Sequence, residues 1–518
     1  MADHHVIVVG SGVGGLASAL ELSAAGLRVT VLERGEAIGG KLHQRQVNDV
    51  GIDSGPTVFT MRWVFDGLFD KVGTRIEDEL SVQPLEILAR HAWGPGETFD
   101  LYADIHRSAQ EVARFAGAAE SARFVQFCEQ ARIAYHALES AYIRSERPTF
   151  ASMNKDLGLG GLKVLWDIGL FQSLWRSLDR YFKDPRLHQL FSRYATYCGS
   201  SPLQAPATLM LIANVEMQGV WMIEGGMTAL AKTLGRLIEA QGATIRTRAE
   251  VQSIQMRDGR ACGVVLADGE VIGADAVIFN GDVAALRQGD VHLSEAGAAR
   301  KAFGAPADDL PQRSLSALTF SIHAKTSGFP LTYHNLFFNH PYAAEFEDIF
   351  SQHALPSKPT VYVCAQDRRD DDPFAADRER LLLLINAPAT GDRRDFDSSE
   401  IQACTEAGFS LMQRCGLTIH NDPSNTVITT PASFHRRFPA TGGALYGQAT
   451  HGWMSSFSRH GASSPIPGLY LAGGSVHPGP GVPMAALSGR LAAATLMGHL
   501  GLIRQSGRVV ISGGMSMR

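Results

Sequence analysis

The sequence predicts an α/β protein: a Rossmann-like dinucleotide-binding domain assembled from three discontinuous segments, with an inserted α+β domain that carries a helical subregion. Three observations predict it. Residues 6–40, VIVVGSGVGGLASALELSAAGLRVTVLERGEAIGG, read as strand, glycine-rich turn, helix, strand and acid. Two further glycine-marked pieces stand far away, at Glu224-Gly225-Gly226-Met227 and at Leu469–Pro483. The stretches between these pieces carry other patterns and belong to a second body.

Val6–Val9 is an unbroken apolar run, as a strand buried on both faces requires. It feeds Gly10-Ser11-Gly12-Val13-Gly14-Gly15, which fits G-x-G-x-x-G at Gly10, Gly12 and Gly15. Gly10 permits the tight turn, Gly12 lets the backbone approach a pyrophosphate, and Gly15 lets helix and strand pack closely. Leu16, Ala19, Leu20 and Ala24 mark the helix, whose N-terminus offers N–H groups and a positive dipole end to the phosphates. A second strand, Arg28–Leu32, ends at Glu33, roughly 20 residues beyond the glycines. That carboxylate can accept hydrogen bonds from a ribose 2′-OH and would repel a phosphate in its place.

Gly39-Gly40-Lys41 continues the loop, and Asp53-Ser54-Gly55-Pro56-Thr57 follows a short polar stretch. The second segment predicts a helix over Ala229–Gln241, strands at Thr244–Thr247 and Val251–Ile254, and a hairpin in GVVLADGEVIGADAVIFN that turns at Asp268-Gly269. The third predicts a short strand, Leu469–Ala472, a loop through Pro483 and a small-residue helix, Ala485–Met497. The residues expected to contact the dinucleotide are Gly10, Gly12, Gly14, Gly15, Glu33, Gly40, Lys41, Gly55, Pro56 and Thr57, then Val251, then Gly473, Gly474, Gly481, Val482 and Pro483. The expected division is 1–75, 224–299 and 456–503 for this domain and 76–223 with 300–455 for the inserted one, leaving 504–518 as a loosely ordered tail. In the insert, Ala109–Tyr142 has helical spacing (Phe124, Phe127, Ala131, Tyr135, Leu138), Leu315–His323 and Val361–Ala365 read as strands, and Glu400–Met412 reads as a helix.

Bulk properties narrow the class. A chain of 518 residues, 45% hydrophobic and 19% charged, is too long for one core and too apolar for disorder. A net charge of -5 gives no footprint for nucleic acid. The 18 histidines show no metal-binding spacing, so no metal is expected. Six scattered cysteines without C-x-x-C argue against a disulfide framework and for a reducing compartment. Met1–His5 has neither a basic region nor an apolar core of a signal peptide, and no segment reads as a membrane span.

With these residues in view, the chain resembles known families. Glu33 with the Gly39-Gly40 extension resembles the flavin-binding signature of FAD oxidoreductases, which implies FAD as cofactor. GLYLAGGSVHPGPGVPMAALSGRLAA resembles the C-terminal signature of phytoene-desaturase-type carotenoid oxidoreductases, with its His-Pro-Gly-x-Gly-x-Pro core. Amine oxidases place an acid after the Ala-Gly of this strand, where this chain has Gly474. Within the carotenoid branch, Thr60–Asp66, Ile87–Trp93 and Arg193–Tyr197 are similar to the 1-hydroxycarotenoid 3,4-desaturases. Phytoene desaturase, another carotenoid oxidase or isomerase, an amine oxidase-like flavoenzyme and a prenyl-lipid carrier of the GDP-dissociation-inhibitor type stay open as alternatives.

The resemblance implies hydride transfer from a carotenoid C4 to the flavin, leaving an allylic cation spread over the polyene, with the protein supplying orientation and water exclusion. Glu224, ahead of Gly225-Gly226, is the candidate base, with Arg62 and His477 as lesser ones. A carotenoid substrate sits in a bilayer, so peripheral contact with the cytoplasmic face of a membrane is expected. Residues 157–176, with Trp166, Trp175, Lys163 and Arg176, form the candidate interfacial segment or, equally, a core-packed helix. The electron acceptor is not legible in the residues.

Overall fold

Five parallel strands form the sheet that the glycine-rich segments build, in the order Leu469–Leu471, Ala276–Phe279, His5–Val9, Arg28–Leu32, Thr244–Arg246. Val8 pairs with both Ile278 and Val31, so the first strand is central, and all five of its residues are buried. That is why it reads as an apolar run without alternation. The strands come from three stretches of chain far apart in sequence, as the repeated strand–glycine–helix pattern predicts. The computed structural model describes residues 4–148, 166, 168–169, 171–304, 312–369 and 377–502.

Helices Val13–Ala24, Met227–Ala240 and Val482–His499 cover one face of this sheet through a shared core that includes Leu16, Leu20, Leu234, Ile238, Leu487 and Leu491. Close packing explains the small residues. A Cβ on Gly15 would collide with the Gly10 carbonyl oxygen, and one on Gly489 would collide with that of Gly14. The other face meets a four-stranded sheet, Val271–Gly273, Arg260–Leu266, Val251–Arg257 and His292–Leu293, through Ile7, Val277, Ile254 and Val264. The hairpin turning at Asp268-Gly269 is present, with Val265 opposite Val271. Beyond it the chain leaves the hairpin, and Ala276–Phe279 joins the parallel sheet.

The inserted segments build a second, eight-stranded sheet. Its order is Leu417–His420, Ser316–Gly328, Glu379–Ala387, Val361–Ala365, His334–Phe337, Ile87–Gly94, Glu97–Tyr102, with Thr426–Thr429 also paired to Ser316–Gly328. Helix Ser398–Arg414 packs on it through Cys404, Leu411 and Met412. A capping box at Asp397 and Glu400 starts that helix.

The helical subregion is present as Ile105–Ala116 and Ala118–Leu138, separated at Gly117, followed by a π-turn at Glu139–Ile143. Its Phe124, Phe127, Ala131 and Leu138 are buried, as their spacing predicts. Strands Ile87–Gly94 and Glu97–Tyr102, ahead of the helical run, have no counterpart in the sequence reading. They pair with each other and, at Arg90–Ala92, with Asn335–Phe337. Most of the 157–176 segment and the 504–518 tail lie outside the described residues.

Candidate active site

The cofactor loops converge on a cavity of about 1130 Å³ at the carboxyl ends of the parallel strands. Val9, Leu32 and Phe279, which end three of those strands, all line it. This is where an open α/β sheet binds its ligand. Gly10, Gly12 and Gly14 line it from the first turn, and Glu33 from the second strand. Gly40, Lys41, Gly55, Pro56 and Thr57 follow, with Val251 from the four-stranded sheet and Gly473, Gly474, Gly481 and Val482 from the last segment. Gly15 and Pro483 do not reach the cavity surface. Gly15 serves the helix–strand contact, and Pro483 opens helix Val482–His499, where a missing N–H costs nothing.

The lining fits FAD. Helix Val13–Ala24 has Gly12 at its N-cap, no side-chain cap and no acid in its first turn, so its first N–H groups keep no side-chain acceptor. Helix Val482–His499 presents the same kind of N-terminus behind Gly481. Gly14 has no room for a side chain because the other two segments pack on this turn: a Cβ there would stand 2.6 Å from Asn280 Oδ1 and 2.8 Å from the Ala485 carbonyl oxygen. Lys41, Arg45 and Arg437 bring positive charge to the cavity, as a pyrophosphate requires. Asn280 Oδ1 is buried without a partner, an acceptor left for a ligand donor.

Glu33 is buried at the end of its strand. Its Oε2 accepts from Ser11 N at 2.9 Å and Ser11 Oγ at 2.6 Å, and its Oε1 accepts from Gly35 N at 2.7 Å. The carboxylate therefore also braces the glycine turn. Lys41 Nζ donates to the Leu445 carbonyl oxygen at 2.5 Å and lies over the Phe438 ring. Burial lowers the Lys41 pKa, and Asp282 partly restores it. Burial, then Arg437, pushes the His43 pKa down to about 4. Asp53 accepts from Thr228 Oγ1 at 2.7 Å, which ties the Gly55–Thr57 loop to helix Met227–Ala240. Burial raises the Asp53 pKa against that bond.

Glu224 corrects the sequence expectation. Its side chain is exposed, it is not among the lining residues, and it follows the edge strand Trp221–Ile223 that pairs with Val82–Pro84. A carboxylate in bulk water cannot reach a bound hydrocarbon. Arg62 is likewise outside the lining and pairs with Asp66 at 3.0 Å. His477 is buried and meets the Tyr142 carbonyl oxygen at 3.0 Å through Nε2, so it anchors the C-terminal loop to the helical subregion.

Other lining residues come from the inserted segments. Leu382, Leu384 and Thr319 belong to the eight-stranded sheet, and Arg193, Thr196 and Tyr197 to a 3-10 turn after helix Pro185–Ser192. Thr57 Oγ1 meets Tyr362 OH at 2.6 Å, and Tyr362 OH meets His334 Nδ1 at 2.6 Å. Burial, then Arg193, lowers the His334 pKa to about 3 and keeps the ring neutral. Sequence reading missed Asn280, Asp282, Arg437 and Tyr362 as site residues. The signal for the first two was available: Asn280-Gly281-Asp282 follows a buried parallel strand at the ligand-binding end of the sheet. Arg437 and Tyr362 had none, because only the tertiary fold brings them to the cavity.

Comparison with known proteins agrees with this geometry. The family described as flavin containing amine oxidoreductase matches residues 13–497. A hydroxyneurosporene desaturase from Rubrivivax gelatinosus is 58% identical over 519 residues, covering 100% of this chain and 98% of the relative. A second hydroxyneurosporene desaturase, from Cereibacter sphaeroides, is 41% identical, covering 96% of this chain and 98% of the relative. Among solved structures, an oxidoreductase from Methanosarcina mazei shares the fold at a TM-score of 0.58 and 18% identity, covering 94% of this chain and 99% of that one.

Proposed function

The chain belongs to the flavin-containing amine oxidoreductase family, and from that premise we propose that it is an FAD-dependent carotenoid desaturase that introduces the C3–C4 double bond into 1-hydroxylated acyclic carotenoids. The observation that carries this reading is the continuity of the cavity. The cofactor loops open directly onto walls from the inserted segments, where Leu382 and Leu384, beside Val58 of the first segment, offer apolar surface to a hydrocarbon.

Bound FAD supplies the hydride acceptor. The chain holds the substrate's C4 against it and excludes water. Loss of hydride from C4 leaves a cation delocalised over the adjoining polyene, and loss of the C3 proton then completes the double bond. Among the described residues, the acids lining the cavity are Glu33, Glu36, Glu250, Asp282 and Asp290, all on the nucleotide-binding segments. No carboxylate from the inserted segments lines the described cavity, which fits proton loss from so acidified a carbon to a weak acceptor. The protein's share of rate is orientation, worth on the order of 7–11 kcal/mol in favourable cases.

Membrane contact belongs to the same reading, because the substrate is insoluble in water. Among the described residues no helix is long and apolar enough to cross a membrane. Trp166 and Phe171 are 72% and 58% exposed, Met454 is also exposed, and the Phe171 and Trp453 rings meet edge-on at 5.2 Å. Such a cluster suits an interface.

The test is anaerobic reaction of FAD-loaded protein with liposomes holding either a 1-hydroxylated neurosporene or phytoene. Flavin bleaching with a red-shifted product from the hydroxylated substrate alone is expected. Bleaching with phytoene moves the assignment to phytoene desaturation, and no bleaching with either overturns the desaturase reading. In the same liposomes the wild-type protein should float with the vesicles and the Trp166→Ser/Phe171→Ser variant should float less; equal flotation removes the aromatic cluster from the membrane contact.

A further inference from the structure

Arg193 is a cation on the part of the cavity wall that the inserted segments contribute. Its Nη2 donates to the Tyr197 hydroxyl at 3.0 Å, and its guanidinium lies 4.9 Å from the centre of the Tyr197 ring. The Tyr197 hydroxyl donates in turn to Glu216 Oε1, and the Tyr194 hydroxyl donates to Glu216 Oε2 at 2.7 Å. Glu216, on helix Leu211–Met217, is buried behind this wall and balances the charge at one remove. Among the described residues, the Tyr197 hydroxyl is the one acceptor that Arg193 meets, although a guanidinium carries five N–H donors. An array so fixed, with donors left over and turned to a cavity, is built for a ligand acceptor.

Resting on the functional reading above, we propose that the Arg193–Tyr197 array receives the substrate's C1 hydroxyl and is the device that selects hydroxylated over unhydroxylated chains. An acyclic carotenoid of this class has one polar group near its reacting end, and taking a hydroxyl out of water without a partner costs roughly 1–3 kcal/mol. Arg193 can donate to the hydroxyl oxygen, and the hydroxyl proton can turn to the Tyr197 oxygen. A chain lacking the hydroxyl leaves the guanidinium desolvated and short of acceptors, so the site rejects it. The same contact sets register. C1 lies three bonds from C4, so seating the hydroxyl also seats the bond to be oxidised. The array is placed for this, because Tyr197 and Tyr362 line one cavity and Tyr362 is bonded to Thr57 of the cofactor loop.

The experiment compares kcat/KM for a 1-hydroxylated neurosporene and for neurosporene itself, in liposomes, with wild-type, Arg193→Met, Arg193→Lys and Tyr197→Phe enzymes. Flavin content and flavin absorption are read on each. The wild type should favour the hydroxylated chain. In Arg193→Met that preference should fall by about 10–100-fold, the size of one lost charge-assisted hydrogen bond, while bound FAD and its spectrum stay unchanged. Arg193→Lys should recover part of the preference. Preference retained in a flavin-loaded Arg193→Met overturns the assignment, as does loss of FAD with discrimination intact, which would place Arg193 on the cofactor. Should Arg193→Met not fold, Tyr197→Phe, which keeps the ring and removes the relay hydroxyl, decides in the same way. A wild type indifferent to the hydroxyl removes the functional reading and this assignment together, whereas discrimination kept in the variants removes this assignment alone.

Discussion

Glu33 shows how one side chain can serve two purposes. Its position is legible from spacing alone, since a strand that ends near the phosphate turn carries its terminal acid toward the ribose. Spacing does not show that the same carboxylate accepts from Ser11 N, Ser11 Oγ and Gly35 N. Those bonds fix the turn before any cofactor arrives. Glu33→Ala therefore removes the ribose acceptor we propose and also strands three donors, so the loss should exceed that of one hydrogen bond. We expect FAD affinity to fall by at least about 10-fold, from charge-assisted bonds worth roughly 1.5–3 kcal/mol each, read by flavin fluorescence on dilution. Glu33→Gln, which keeps an acceptor for the turn, should lose less. Equal losses would show that the turn does not depend on the carboxylate.

Among the elements, the helices Val13–Ala24 and Val482–His499 decide how the last segment closes the site. Their backbones approach at Gly14 and Gly489, and Arg490, one residue on, reaches Glu21 in the last turns of the first helix. Arg490 is 1% exposed; its Nε donates to Glu21 Oε1 at 2.7 Å and its Nη1 to the Val64 carbonyl oxygen at 2.9 Å. The small-residue helix was legible in sequence because its apolar run follows a glycine loop. The ion pair was not: its partners are 469 positions apart, and an Arg inside an alanine-rich helix reads as a solvated face until its neighbour is known. Removing Arg490 leaves the buried Glu21 with only the half-exposed Lys71, at 3.8 Å, as counter-charge, so Arg490→Met should lower stability by up to about 3–5 kcal/mol. Glu21→Leu/Arg490→Met should recover a substantial part of that loss, because the under-compensated buried charge goes too. Denaturation midpoints of the single and double variants check this, and strict additivity would mean that the pair is not coupled.

Across the whole molecule, the discontinuous parallel sheet was legible because each of its pieces repeats a local pattern, whereas strands Ile87–Gly94 and Glu97–Tyr102 were not. Arg90, His91 and Asp100 break their apolar alternation, and their partner strand begins more than 200 residues later. His91 and His334 lie buried on that eight-stranded sheet, His43 and His477 lie buried in loops outside it, and the consequence is a pH dependence. Burial is the first cause of lowered pKa values at His43 and His477, both to about 4, and at His91 and His334, both to about 3. All four are buried and neutral in the folded chain. The unfolded chain protonates them near 6.5, so between that pH and about 4 it binds more protons than the folded one. Stability is then fully present above pH 6.5 and is lost as pH falls, by up to about 1.4 kcal/mol per pH unit for each histidine. Glu345 acts in the opposite sense: burial raises its pKa to about 7, so its contribution is present at low pH and lost as pH rises from 4.5. Burial also lowers the pKa of His451, to about 4, and of His188 and His460, whereas Asp53 and Asp66 are raised by burial and side with Glu345; seven histidines against three acids leave the histidines dominant. Urea midpoints of the FAD-loaded protein should therefore drop as pH is lowered from 6.5 toward 4.5, and His477→Gln, which removes one such histidine, should shallow the slope; a flat profile would mean that these rings keep ordinary basicity in the fold.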